Sequence, residues 1–330
     1  MKTVISAIDE KSLSLAKEIL NGGGLVAFPT ETVYGLGAVA TDTSAVKAIF
    51  EAKGRPSDNP LIVHVHEGYD ITSLVYIDHA YVYDLIKAFT PGPLTMVFRS
   101  RGVVSPAVSC GLDTLAVRIP SDENARAFLR FVNAPIAAPS ANASKHVSPV
   151  TAMHVYEDLC GRIPPILDGG RCTGGIESTV LDVTEATPRI LRSGLVTCDM
   201  IKSVAGDCVY AQHKEGDKVK SPGVKYKHYS PKCRTAFFKR TEVEGAIQEY
   251  KSALKQGFSP IIICDDGLKQ CFGDCRTVSL GLRSEELAAN VYNALRECEK
   301  AYDYIIGIEL EGDSQIDVGV MNRFEKACKE

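Results

Sequence analysis

Between Phe28 and Val65 the chain reads FPTETVYGLGAVATDTSAVKAIFEAKGRPSDNPLIVHV, which crowds anion-binding groups into one short span. Thr30, Glu31, Thr32 and Tyr34 form a hydroxyl-rich loop closed by Gly35 and Gly37. Lys53, Arg55 and Asn59 form a second loop, of two cations and an amide, pinned by Pro56 and Pro60. Cations at a helix C-terminus suit the macrodipole, and that explanation covers Lys53 well. It covers Arg55 less well, because Gly54 and Pro56 lock the backbone around a planar fork whose direction then matters. A cation loop beside a hydroxyl loop, both at strand ends, is how an α/β protein builds a site for a polyanion.

Further along, Arg118 stands amid apolar neighbours in a predicted strand. An arginine there is seldom buried unless paired, so it meets either an internal carboxylate or a ligand anion, and the sequence leaves both open. Pro139-Ser140-Ala141-Asn142-Ala143-Ser144 offers small hydroxyls and an amide at a strand end, which also suits an ordinary turn. Glu177-Ser178-Thr179 and Arg192-Ser193-Gly194 occupy two more strand ends. Neither a GxSxG nucleophile elbow nor a GxxxxGK[ST] phosphate loop occurs. Gly35, Gly37 and Ala40 do match GxGxxA, but no acidic residue ends a second strand about 20 residues on, as a dinucleotide site requires.

The elements that must hold these groups follow from periodicity. Gly24–Phe28 and Leu61–Val65 read as buried strands, as do Leu94–Arg99, Thr114–Ile119 and Val180–Val183. Apolar residues at helical spacing predict helices over Lys11–Leu20, with Asp9 as N-cap, over the stretch after Asp42, and over Ile77–Phe89. Gly22-Gly23-Gly24 terminates the first of them. Near Gly206 the composition turns polar, through Ser221-Pro222-Gly223 to Pro231, and reads as a linker. Two tyrosines and a histidine in Lys225–Pro231 suggest that it packs on something. Beyond it, strands at Thr235–Phe238, Pro260–Cys264, Arg276–Leu280 and Tyr304–Leu310 alternate with helices at Val243–Leu254, Ser284–Lys300 and Gly319–Lys329. That alternation predicts a small, open, mostly parallel α/β domain.

With 330 residues, a net charge of −4 and a pI near 6.0, the chain has ordinary globular composition. The acidic balance argues against nucleic-acid wrapping as its main business. No apolar run reaches the roughly 20 residues of a membrane span, and no signal-peptide core opens the chain. Its eleven cysteines include no CxxC pair, so reduced, buried thiols in a cytoplasmic protein are expected and no zinc site is.

The assembled landmarks resemble the two-domain, Sua5 branch of the YrdC/Sua5 family. They are PTETVYGLG at Pro29–Gly37, KGRPSDNPLIVHV at Lys53–Val65, APSANAS at Ala138–Ser144, ESTVLDV at Glu177–Val183, SPGVKYKHYSP at Ser221–Pro231 and GVMNRFEKA at Gly319–Ala327. The resemblance implies a YrdC-like α/β domain over 1–205, a twisted mixed sheet with a concave cleft. It also implies a linker over 206–231 that closes on the cleft, and a Rossmann-like open-sheet domain over 232–330. The implied enzyme is an L-threonylcarbamoyladenylate synthase, joining ATP, L-threonine and bicarbonate into threonylcarbamoyl-AMP and pyrophosphate. Its product feeds the tRNA threonylcarbamoyl transferase machinery that modifies adenosine 37 of tRNAs reading codons that start with A. Magnesium is expected to ride on the ATP, with no dedicated protein cage.

By the same resemblance Thr32, His64, Arg118, Ala138 and Ser178 hold L-threonine. Arg55, Asn59, Thr114, Ser140, Ser148, Arg192 and Tyr229 hold the nucleotide, and Lys53 and Arg55 offset charge on the phosphates. Lys145 and Val150 stand where the family pattern has glycine and threonine. The alternative function is a double-stranded RNA or tRNA-binding module of the same fold without adenylate chemistry.

Overall fold

The computed structural model describes residues 2–211 and 229–329. The linker signature Ser221–His228 lies outside the described residues. Two compact units divide the chain. The first holds residues 2–144, 149–173 and 177–211; the second holds Lys145–Ser148, Gly174–Ile176 and residues 229–329.

The first unit is built on strands β1 (Val4–Ala7), β2 (Val26–Phe28), β3 (Gly35–Val39), β4 (Ile62–His64), β5 (Val75–Tyr76), β6 (Leu94–Ser100), β7 (Thr114–Arg118), β8 (Ile136–Ala138), β9 (Pro165–Asp168), β10 (Thr179–Asp182), β11 (Arg189–Arg192) and β12 (Val209–Tyr210). They form one sheet in the order β1-β9-β2-β3-β8-β4-β7-β6-β10-β11-β12, with β5 paired to β6. Pairing is mixed: β4–β7 and β6–β10 are parallel, whereas β6–β7 and β4–β8 are antiparallel. The expected mixed α/β sheet is therefore present.

Local signals start the helices where the sequence places them. Asp9 accepts from the Ser12 amide at 2.7 Å to cap the helix Glu10–Asn21. Asp42 accepts from the Ser44 and Ala45 amides at 2.8 and 3.0 Å to cap Thr43–Lys53. Ala16 and Leu20 of the first helix pack with Phe128 and Leu129 over Phe28 and Ile136 of the sheet, in one buried cluster. Burial of such side chains is the main stabilising term for the unit.

Several short strands went unread, β1, β3, β5 and β12 among them. Gly35–Val39 had the look of a glycine loop, yet it forms β3, antiparallel to both β2 and β8. A Cβ on Gly37 would come within 2.7 Å of Ile136 and 3.0 Å of Phe28. The glycines of the GxGxxA match thus serve close packing within a sheet, not a phosphate turn.

The second unit carries β13 (Arg234–Phe238), β14 (Pro260–Cys264), β15 (Thr277–Ser279) and β16 (Tyr304–Ile308), all parallel, in the order β13-β16-β14-β15. Helices Val243–Lys255, Ser284–Ala301 and Ile316–Cys328 complete this open α/β sheet. None of the eleven cysteines forms a disulfide. No described helix is long and apolar enough to cross a membrane.

Candidate active site

Register places the key side chains of the first unit. His64 on β4 pairs with Arg118 on β7, and Arg118 pairs in turn with Thr95 on β6. Residues in register across adjacent strands project to the same face, so the imidazole, the guanidinium and the Thr95 hydroxyl form a lateral row. The Thr95 hydroxyl continues it to Ser178, 2.8 Å away at the entry to β10. All four residues are buried.

The loop after β2 closes on this row. Arg118 Nη1 donates to Thr32 Oγ1 at 2.8 Å, and Thr32 Oγ1 lies 2.9 Å from Thr30 Oγ1. Arg118 Nη2 stands 2.8 Å from the Glu31 carboxylate, so the arginine does meet an internal carboxylate. Burial, with the Arg118 charge beside it, pushes the His64 imidazole down to about 3. The ring is therefore neutral at physiological pH, with Nδ1 3.2 Å from the Ile62 carbonyl. Ala138 ends β8 in register with Ile62, so its backbone lies one strand from the row. Of the residues named together from the sequence, Thr32, His64, Arg118 and Ser178 thus join one row across β4, β7, β6 and the entry to β10, while Ala138 stands on β8 opposite Ile62, two residues along β4 from His64.

The second set is more dispersed. Arg192, at the end of β11, donates from Nε and Nη2 to the Ser178 carbonyl at 3.2 and 3.0 Å. Gly194 permits this approach, since a Cβ there would meet the Ser178 and Thr179 backbone within 2.8 Å. Arg55 is half-buried, and its Nη2 donates to the Asn59 carbonyl at 3.3 Å. Asn59 is itself buried, with an Oδ1 that accepts no hydrogen bond. Thr114 opens β7, and the Ser140 hydroxyl donates to Asn142 Oδ1 at 2.6 Å.

Lys53 is tied to the turn that carries Ser140. Its buried ammonium lies 2.5 Å from the carbonyls of both Ser140 and Asn142 and 3.4 Å from Asn142 Oδ1. The cation holds the Ser140–Asn142 turn, and the helix Thr43–Lys53 delivers it there because its C-cap Gly54 adopts φ 62.

Ser148 and Tyr229 belong to the second unit. There the Tyr229 ring stacks on Tyr292 at 5.4 Å, and buried Arg296 donates to the Val147 carbonyl at 3.1 Å through Nε. His146 Nε2 lies 2.7 Å from Glu299, and the Ser230 amide donates to the Lys145 carbonyl. Lys145 sits at φ 72, the left-handed region that favours glycine, so the departure at this position costs local backbone strain.

Sequence reasoning named Glu31 as part of the loop and gave it no role, and it missed Thr95. The signal for Thr95 is its register with Arg118, which no local pattern carries.

A mixed α/β sheet with a buried guanidinium, imidazole and hydroxyl row at its strand ends is the YrdC-like class of fold. The chain belongs to the Sua5/YciO/YrdC family: residues 18–194 match the family described as "Telomere recombination". Residues 196–328 match "Threonylcarbamoyl-AMP synthase, C-terminal domain". Threonylcarbamoyl-AMP synthase of Pyrococcus abyssi is 40% identical, over 97% of this chain and 95% of its own. The Bacillus subtilis protein of the same name is 39% identical, over 97% and 94%. The crystal structure of P. abyssi Sua5 complexed with L-threonine superposes with a TM-score of 0.90 at 39% identity, covering 99% of this chain and 98% of that one.

Proposed function

We propose that this chain is an L-threonylcarbamoyladenylate synthase, converting ATP, L-threonine and bicarbonate into threonylcarbamoyl-AMP and pyrophosphate. The observation that carries the reading is the buried row of His64, Arg118, Thr95 and Ser178, closed by Thr32. A full-length relative bearing that name, and a like structure holding L-threonine, support it. Those relatives favour the enzyme over an RNA-binding module without chemistry.

In this reading Arg118 takes the amino acid's carboxylate with its planar fork, and Thr32, Ser178 and neutral His64 line the rest of the substrate. The Ala138 backbone completes that pocket. The threonine ammonium gives up a proton to water, and the free amine adds to the carbon of bicarbonate, with loss of water, to give a carbamate. A carbamate oxygen then attacks the α-phosphorus of ATP, and the bond to the β-phosphate oxygen breaks to release pyrophosphate. Arg55 and Arg192 offset the charge that builds there, with Asn59, Thr114 and Ser140 around the nucleotide. Lys53 contributes by fixing the Ser140 turn. We extend the nucleotide role to Ser148 and Tyr229 from the family resemblance alone. Magnesium enters as part of the ATP substrate, and positioning and electrostatics do the catalysis.

The same reading sends the product to the tRNA threonylcarbamoyl transferase machinery in the cytoplasm, and divides the chain into a catalytic domain over 1–205, a linker over 206–231 and an accessory domain over 232–330. Incubating the pure protein with ATP, labelled bicarbonate and L-threonine tests it. An adenylate carrying the label is expected only when all three are present. Release of AMP and pyrophosphate without threonine or bicarbonate would refute it.

A further inference from the structure

The Glu31 carboxylate is an anomaly in the row just described. It is more than nine-tenths buried, and neither of its oxygens accepts a hydrogen bond. Its contact with Arg118 Nη2, at 2.8 Å, is an ion contact without hydrogen-bond alignment. A carboxylate whose lone pairs are all left over in a buried site is costly, and a nearby cation offsets only part of that cost. By contrast, the other side of the guanidinium is well used: Nη1 donates to Thr32 and Nε faces the Gly92 carbonyl at 3.4 Å. Nearby, Asp122 caps the helix Glu123–Val132, and burial, with the Glu31 charge added, raises its carboxyl above the usual range.

A free α-amino acid carries a carboxylate and an ammonium on the same carbon. Arg118 would pair the first, and a neutral lining of hydroxyls, imidazole and backbone would leave the second without a counter-charge, at a desolvation cost. We infer that Glu31 and Arg118 together form a receptor for a zwitterion, in which Glu31 accepts from the substrate's α-ammonium while Arg118 takes its carboxylate. The unused lone pairs of Glu31 then serve the ammonium protons. The pair and the ligand are each neutral, so binding buries no net charge. Glu31 becomes a specificity residue that selects amino acids over hydroxy acids or plain carboxylates. This rests on the proposal that the pocket holds L-threonine.

The test is calorimetric titration of L-threonine and of 3-hydroxybutanoate, which keeps the carboxylate and β-hydroxyl but lacks the amine. The unaltered protein should prefer L-threonine by at least about tenfold, the worth of one charge-assisted hydrogen bond. Glu31→Gln should weaken L-threonine about 10- to 100-fold and change 3-hydroxybutanoate by less than about twofold. Equal weakening of both ligands, as a merely structural role would give, overturns the inference, and so does unchanged L-threonine affinity. Should Glu31→Gln fail to fold, the ligand preference of the unaltered protein still decides: equal affinity for the two compounds overturns it. Failure of the unaltered protein to bind L-threonine at all would instead bring down the functional reading, and this inference with it.

Discussion

Two guanidinium nitrogens of Arg192 close on a single acceptor, the carbonyl oxygen of Ser178. The Ser178 hydroxyl in turn meets Thr95, which shares a register with Arg118. An arginine assigned to the nucleotide therefore sets the backbone of a serine assigned to threonine. In the proposed function, the two substrates therefore share one hydrogen-bonded support.

That support predicts coupled losses. Arg192→Ala should weaken both ATP and L-threonine, each by about tenfold or more, because it leaves the carbonyl of buried Ser178 without its charged donor. Separate titrations of each ligand check this. A variant that loses ATP affinity alone would break the link.

Lys53→Met keeps much of the buried volume and removes the ammonium from the Ser140 and Asn142 carbonyls. Two buried acceptors would lose a charged donor, so stability should fall by about 2–4 kcal/mol. Chemical denaturation of the variant measures it. A loss of turnover with unchanged stability would instead put the ammonium on substrate.

His64 gives a sign that pH can test. Its folded value, near 3, lies below the 6.5 of an unperturbed histidine. The unfolded chain therefore binds a proton that the folded chain refuses. The stability from a neutral His64 is complete above pH 6.5 and is lost as pH falls toward 3, by on the order of 2 kcal/mol at pH 5. Denaturation curves between pH 7 and pH 5 should show a shallower slope for His64→Gln than for the unaltered protein.

Gly37→Ala should destabilise the first unit by about 1–3 kcal/mol, since the new methyl would press on Ile136 and Phe28 in a packed sheet. A thermal melt checks this, and an unchanged midpoint would mean that β2 and β8 yield easily.

Much of this protein was legible in its sequence because the signals were local. Asp9 and Asp42 announce helix starts through a side chain two or three residues from the amide that it caps. Six landmark stretches in order were enough to identify the family. Tertiary structure decided what lies between distant residues. Whether Arg118 met a carboxylate or waited for an anion depended on the loop after β2 folding back onto β7, which brings Glu31 to it. Gly35–Val39 became a strand because β2 and β8 offered partners on both sides, and a glycine pattern has no way to announce them. Lys53 reaches two carbonyls nearly 90 residues further along the chain. Caps and apolar periods act over a few residues and so are written in the chain; strand register and the pairing of buried charges arise only when remote segments meet.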